Sequence, residues 1–399
     1  TPAAAIDALG RFQESVFAPP SSMRAAALDI ARRVPATAPG RAELIRRIAR
    51  DAIMANPAAP LEFYAFEALG AASDPGIDAD AAADGVAMIA SEAAGVAALR
   101  EQSEPWRSSA DFLLSQRLPR AAAEFLRARL EDPAGLSDAD VTLLMRAAIA
   151  CDAAVGGRAA ASLALVGRLR GMGIDPFGGA SRPAAEYQVV SGIYTMLGDD
   201  SGAEVVMEAG LAVDPSDPAL LNNLGFTRLE RGAIDARTEQ LLEQAVRARA
   251  EDSESLDSLG WLRYAQGRLV DSDAGPGAVT LLERAVSKTR GAVSAAQRDH
   301  LGDARWRVGD HEGARREWTE AVRIAEAGMP REQNIEVLRR FFRQQLGLAA
   351  IDAARYHDAH DGSLAARAKA KLDASARGVE PPVARQSAVP APNPPASAR

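Results

Sequence analysis

Apolar positions along the chain recur at helical spacing, and in its second half one short phrase is written three times. Leu221-Asn222-Asn223-Leu224-Gly225-Phe226 is echoed by Leu256-Asp257-Ser258-Leu259-Gly260-Trp261 and by Asp299-His300-Leu301-Gly302-Asp303. Seven residues after each Leu-Gly glycine comes another, Gly232, Gly267 and Gly309, where a helix is expected to stop and turn. Beyond the turn a second helix carries small residues at spacings of four and three: Ala278, Leu282 and Ala285, then Ala314, Trp318 and Ala321, with Ala203, Met207 and Gly210 upstream. Residues at i, i+4 and i+7 share one helix face. Each triplet therefore predicts a stripe that nests against a partner helix.

The copies have a period. Ser191 to Gly225 is 34 residues, Gly225 to Gly260 is 35, and Gly260 to Gly302 is 42, the excess falling in the Asp/Ser/Gly/Pro segment from Asp271 to Gly277. Tyr187, Tyr194 and Gly198 complete an earlier copy, and Pro215 closes it. These residues resemble the tetratricopeptide repeat, whose period is about 34 and whose first helix carries Leu-Gly with an aromatic residue. The resemblance covers four copies at 184–327. It implies an all-α fold, a right-handed α-solenoid of tetratricopeptide-like helical hairpins. Within that family the run of copies is most similar to bacterial repeat proteins of the cell envelope, which implies a scaffold or assembly role.

Outside the repeats the pattern thins. Residues 1–183 are expected to be a divergent helical-repeat region: Ala121, Phe125, Ala128 and Pro133 keep the same spacing, and breaks fall at 17–22, 35–40, 73–85 and 171–183. Residues 328–376 are expected to be C-terminal capping helices, on the stripe Ile335, Leu338, Phe342 and Leu346 with Arg339, Arg340 and Arg343 beside it. From 377 to 399 the chain becomes rich in Pro and Ala, and a disordered, extended tail is expected.

Composition sharpens this reading. Hydrophobic residues make up 47% and aromatic residues only 5%, with alanine supplying most of the difference. Small side chains favour closely packed helices over a large aromatic core. No run of about twenty uncharged apolar residues is present, so no transmembrane helix is expected. A net charge of −8 disfavours nonspecific binding of nucleic acid. Cys151 is the only cysteine, which rules out an internal disulfide or a cysteine zinc cluster; it reads as a small buried hydrophobe. The chain opens on Thr1, which fits either a cleaved leader or a piece of a longer protein, and the bacterial cytoplasm and the periplasm or cell envelope both stay open.

Signatures of chemistry are sparse. There is no Gly-x-x-x-x-Gly-Lys loop, no Gly-x-Ser-x-Gly elbow and no His-Glu-x-x-His. His357, Asp358, His360 and Asp361 sit in a polar stretch that reads as a solvated helix end, and Asp78, Asp80 and Asp84 read as helix caps. No catalytic, metal or cofactor residue is assigned.

In the family resembled here, first helices line the groove that takes a ligand. That register picks out Asn222, Phe226, Asp257, Trp261, Tyr264, Asp299, Asp303, Trp306 and Arg307. Aromatic anchors among carboxylates suit a protein or peptide with apolar anchors and basic flanks. Trp261 and Trp306 carry a second reading, as filling between successive hairpins. Some members grip a C-terminal carboxylate with lysines and asparagines, but here Asp257 and Asp299 stand at the matching places and the four first helices have no lysine. The function expected is a non-catalytic protein-binding scaffold, an assembly or adaptor factor. The alternative is a helical-repeat enzyme, or a regulatory appendage of one, with its site in the N-terminal half.

Overall fold

A computed structural model of the chain describes residues 104–115, 118–174, 184–289, 293–327, 331–354 and 364–383. These residues form fourteen α-helices: α1 Glu104–Ser115, α2 Pro119–Glu131, α3 Asp138–Val155, α4 Ala159–Gly171, α5 Ala185–Met196, α6 Asp200–Val213, α7 Pro218–Glu230, α8 Ala236–Ala248, α9 Ser253–Ala265, α10 Ala278–Lys288, α11 Ala295–Arg307, α12 His311–Glu326, α13 Arg331–Leu346 and α14 Leu364–Ala376. The β-pairing among them is one antiparallel bridge, Ser272 to Gly275. No described helix is long and apolar enough to cross a membrane.

Helix ends follow from the residues that stand there. Asp217, Asp235, Asp252 and Asp310 each accept the N–H three residues on, and Ser294 forms a reciprocal capping box with Gln297. Such caps satisfy N–H groups that the helix itself leaves open, at about 1 kcal/mol each. First helices stop in one way. Gly198, Gly232, Gly267 and Gly309 all have φ between 75° and 86°, the left-handed region that a Cβ disfavours. The next residue then donates back five positions: Asp199 to Tyr194, Ala233 to Arg228, Arg268 to Arg263 and Asp310 to Arg305, at 2.8–3.0 Å.

The described residues divide into two compact units. One comprises Arg182–Gln188, Met207–Glu336 and Ala353 onward. Here α7 packs on α8, α9 on α10 and α11 on α12, each second helix packs on the following first helix, and α7 touches α9 as α9 touches α11. This is a solenoid of tetratricopeptide-like hairpins. The expected triplets are its core: Ala278, Leu282 and Ala285, and Ala314, Trp318 and Ala321, are all fully buried, as are Thr238, Leu242 and Ala245 of α8. The Leu-Gly glycines explain themselves by close approach. A Cβ on Gly225 would stand 2.6 Å from Leu242, on Gly260 2.8 Å from Leu282, and on Gly302 2.5 Å from the Trp318 ring. The lengthened turn after α9 is compact: Ala278 and Val279 donate to Arg268 and Leu269, and Gly277 N–H donates to Asp271, whose carboxyl is held below its usual range by that bond.

The C-terminal end of this unit continues past the expected boundary at 377. α14 packs on α12 and α11, and Val383 is buried against Ala314 and Trp318. The ordered packing therefore runs at least to Val383, because an apolar side chain there finds the face of the last hairpin; residues 384–399 lie outside the described part.

The other unit holds described residues of 104–174, with Val189–Val206 and Val337–Asp352. α1 packs on α2, α2 on α3 and α3 on α4. Trp106 and Phe125 lie together in its core, ring centroids 4.8 Å apart. Ala121 and Phe125 are buried as their spacing implies, while Ala128 is half-buried. The fully buried Asp152 collects Arg127, Arg158 at 2.8 Å and Ser162 at 2.8 Å, so its charge is paired and hydrogen-bonded, the condition for burying one. After α13, whose Phe342 and Leu346 are buried, the backbone N–H groups of Ala349 and Ala350 donate to Asp111 at 2.7 and 2.9 Å. The expected segments before residue 104, and His357 to Asp361, lie outside the described residues.

Candidate protein-binding face

Counting from each Leu-Gly glycine puts the first helices in register. Three positions before it stand Asn222, Asp257 and Asp299; one after it, Phe226, Trp261 and Asp303; four after it, Leu229, Tyr264 and Trp306. Steps of three and four follow one helix face, so each first helix carries one stripe, and α7, α9 and α11 carry theirs side by side. Asn222, Asp257, Tyr264, Asp299 and Asp303 are buried, Phe226, Trp261 and Trp306 are half-buried, and Arg307 is exposed.

The acidic positions are engaged by the helix that follows in the stack. On α11, His300 Nδ1 lies 3.1 Å from the Asp257 carboxylate, and its ring stacks on Trp261 with centroids 4.1 Å apart. Tyr264 stacks on the same indole at 4.7 Å. On α14, the Lys371 ammonium lies 2.7 Å from Asp299 and 2.6 Å from Asp303, and Trp318 Nε1 donates to Asp303 at 3.0 Å. Asp257 with Trp261, and Asp299 with Asp303, occupy equivalent positions one turn apart. One pair holds an imidazole and the other an ammonium. At Asn222, the equivalent place on α7, the side-chain oxygen is buried with no hydrogen-bond partner.

Electrostatics follow this pairing. Burial disfavours a charged His300, but the Asp257 carboxylate, with Asp299 and Asp303 behind it, outweighs that and raises its pKa above the usual value. Burial pushes the Tyr264 phenol up to about 12, against the pull of the Arg307 guanidinium bonded to it. Glu380 joins the same edge: Trp306 Nε1 donates to it at 3.3 Å and Arg307 lies 3.6 Å away. Trp306 also stacks on His311 at 3.9 Å. Burial pushes the Cys151 thiol well up, and the Asp152 charge adds to it, so this cysteine is protonated and shielded.

Three kinds of residue that hold these helices in place escape a reading by sequence. Arg228, Arg263 and Arg305 recur three positions after each Leu-Gly glycine, and that repetition was a usable signal. The buried Arg263 reaches Glu239, and Glu243 at 2.5 Å, on the preceding second helix; Arg305 reaches Glu283 at 2.9 Å on the second helix before it and Glu317 at 3.2 Å. Arg228 instead bonds Asp235 at 2.9 Å. In the earliest copy Tyr194 takes this place, its hydroxyl 2.8 Å from Ser162 of α4. His300 sits inside the repeated phrase, yet its partner Asp257 is 43 residues away. Lys371 gave no signal, since it comes from a helix outside the repeat pattern.

No family model matches the chain. Over 63 residues it is 33% identical to a TPR repeat-containing protein of Pseudomonas aeruginosa, a match that spans 16% of this chain and 11% of that relative. Two crystal structures of MamA align with 45% and 49% of the chain and with 92% and 94% of their own lengths, at 20% and 19% identity and TM-scores of 0.27 and 0.29.

Proposed function

We propose that this tetratricopeptide-like stack is a non-catalytic scaffold that docks a protein segment along the stripe carried by α7, α9 and α11, and serves as an assembly or adaptor factor. A helical-repeat stack supports protein interaction in general, because neighbouring first helices offer one extended face. The observation that carries the finer reading is Asn222. Its side-chain oxygen is buried and unpaired on that face, beside half-buried Phe226 one turn on. An unsatisfied buried acceptor costs roughly 1–3 kcal/mol, and an incoming backbone N–H removes that cost while an apolar partner residue covers Phe226. Trp261 is held by Tyr264 and His300, so it serves as a rigid wall whose unstacked edge meets the partner.

The test is site-directed photo-crosslinking in the native host. A photoreactive residue at Phe226 is expected to capture a discrete partner band, while the same residue at the exposed Arg247 on second helix α8 captures none. Equal capture from the two positions, or capture from Arg247 alone, defeats the proposal. A helical-repeat enzyme, or a regulatory appendage of one, with its site in residues 1–183 is the other class of reading; of that region residues 104–115 and 118–174 are described.

A further inference from the structure

Successive joints between first helices are closed with different chemistry. Counted from the Leu-Gly glycines, the position three before on one helix is matched with the position two before on the next. At α7 and α9 these are Asn222 and Ser258, an amide and a hydroxyl that hold no charge near neutrality. At α9 and α11 they are Asp257 and His300, the ring nitrogen 3.1 Å from the carboxylate and the ring stacked on Trp261. Beyond α11 the acids meet an ammonium, Lys371 of α14. Histidine is the side chain whose ordinary titration falls between pH 5 and 8. The joint between α9 and α11 is therefore the one built around it.

The apolar packing of that joint is also leaner. The buried cluster of α7, α8, α9 and α10 contains six leucines, whereas the cluster that ties α9 and α10 to α11 contains two, Leu282 and Leu301, with Tyr264, Ala278 and Ala304. Electrostatics carry a larger share there. The carboxylates of Asp257, Asp299 and Asp303 all favour a charged His300, and Lys371 answers two of them. Arg307 is bonded to the Tyr264 hydroxyl. On the second helices packed against α11, Glu283 of α10 is engaged by Arg305, Glu317 of α12 by Arg298 and Arg305, and His311 of α12 lies on Trp306. A neutral His300 ring can still offer Nδ1–H to Asp257, but it leaves three carboxylates against one ammonium.

We propose that His300 makes the joint between α9 and α11 a proton-set break point of the stack: protonated, it fastens the last hairpin and α14 to the hairpin before, and neutral, it lets that block open by itself more often. The block moves as one because α12 and α14 share the buried Ala314, Trp318 and Val383. In a stack whose stability is a sum of neighbour terms, weakening one joint raises the local opening of what lies beyond it. The apolar cluster does not titrate, so the proton sets how often the block opens. This inference goes beyond the docking reading and stands without it; crosslinking from Phe226, on α7, tests that reading separately.

Hydrogen exchange of the unaltered full chain from about pH 5.5 to about pH 8.5, corrected for the intrinsic pH dependence of exchange, tests the proposal. The folded chain favours the charged form of His300, so its contribution is complete below about pH 6.5 and is lost as pH rises through the higher folded value. Protection of α11 and α12 amides is expected to fall by about threefold or more across this range, while that of α7 and α8 stays constant. His300→Gln is expected to level the α11 and α12 profile, and His311→Gln to keep it. An equal fall in α7 and α8 makes the opening global and overturns the proposal. So does a flat profile in the unaltered protein, a fall that survives in His300→Gln, or one that His311→Gln abolishes. Should His300→Gln fail to fold, the contrast between the two pairs of helices in the unaltered protein decides.

Discussion

Replacing Gly302 by alanine tests the packing logic of the whole stack. The added Cβ would stand 2.5 Å from both Cδ1 and Nε1 of Trp318, an indole that is fully buried and so has no open space to retreat into. Forcing extra carbon into a packed core costs about 1–3 kcal/mol. Tilting the ring also strains its bond to Asp303, a hydrogen bond to a charged acceptor worth about 1.5–3 kcal/mol when fully lost. Against this, alanine is the better helix former by about 0.5–1 kcal/mol. The net expected loss is about 2 kcal/mol. Gly192 supplies the control: it too lies inside a first helix, α5, but nothing stands within 4 Å of its added Cβ. There only the propensity remains, and Gly192→Ala is expected to stabilise by about 0.5–1 kcal/mol. Urea unfolding followed by tryptophan fluorescence suits the comparison, since Trp261, Trp306 and Trp318 are three of the four tryptophans. With a slope of about 2 kcal/mol/M, Gly302→Ala lowers the midpoint by about 1 M. A midpoint for Gly302→Ala at or above that of the unaltered protein, or an equal fall for Gly192→Ala measured by circular dichroism, refutes the close-approach argument.

Truncating Arg263 to alanine leaves Glu239 and Glu243 facing each other without their shared cation, and because both acids are partly solvated the expected loss is about 1–2 kcal/mol; an unchanged urea midpoint would show the pair to be idle. His300 has a raised folded-state pKa, so its contribution is fully present below the unfolded value of about 6.5 and disappears as pH rises through the folded value. Melting temperature should therefore fall with rising pH across that window, and His300→Gln should remove this part of the slope; a variant with the same pH profile counts against the Asp257 pairing. Asp111→Ala deprives the Ala349 and Ala350 amides of their acceptor, and their hydrogen exchange should quicken while that of α3 stays constant.

The repeated phrase and its periodicity disclosed the three hairpins from Pro218 to Glu326, because a helix that buries one face must repeat its apolar residues at its own pitch. The turn glycines and core triplets were legible for the same reason: Gly267 needs a positive φ whatever surrounds it, and Ala278, Leu282 and Ala285 share a face by geometry of the single helix. The stripe at Asn222, Asp257 and Asp299 could also be chosen from register. What could not be read was its state of occupation. Whether an aspartate faces solvent or a neighbour depends on which helix stacks next, and contacts such as Asp257 to His300 or Asp303 to Lys371 join residues 43 and 68 apart. Lys371 lies in a short Ala- and Lys-rich helix with no repeat phrase, and Val383 in a segment whose composition argues for disorder. Their places were decided by the last hairpin, whose second helix presented an apolar face to Val383 and whose first helix presented two carboxylates to Lys371. Local pitch is written in the chain, but the partner of a buried charge is selected only when the helices come together.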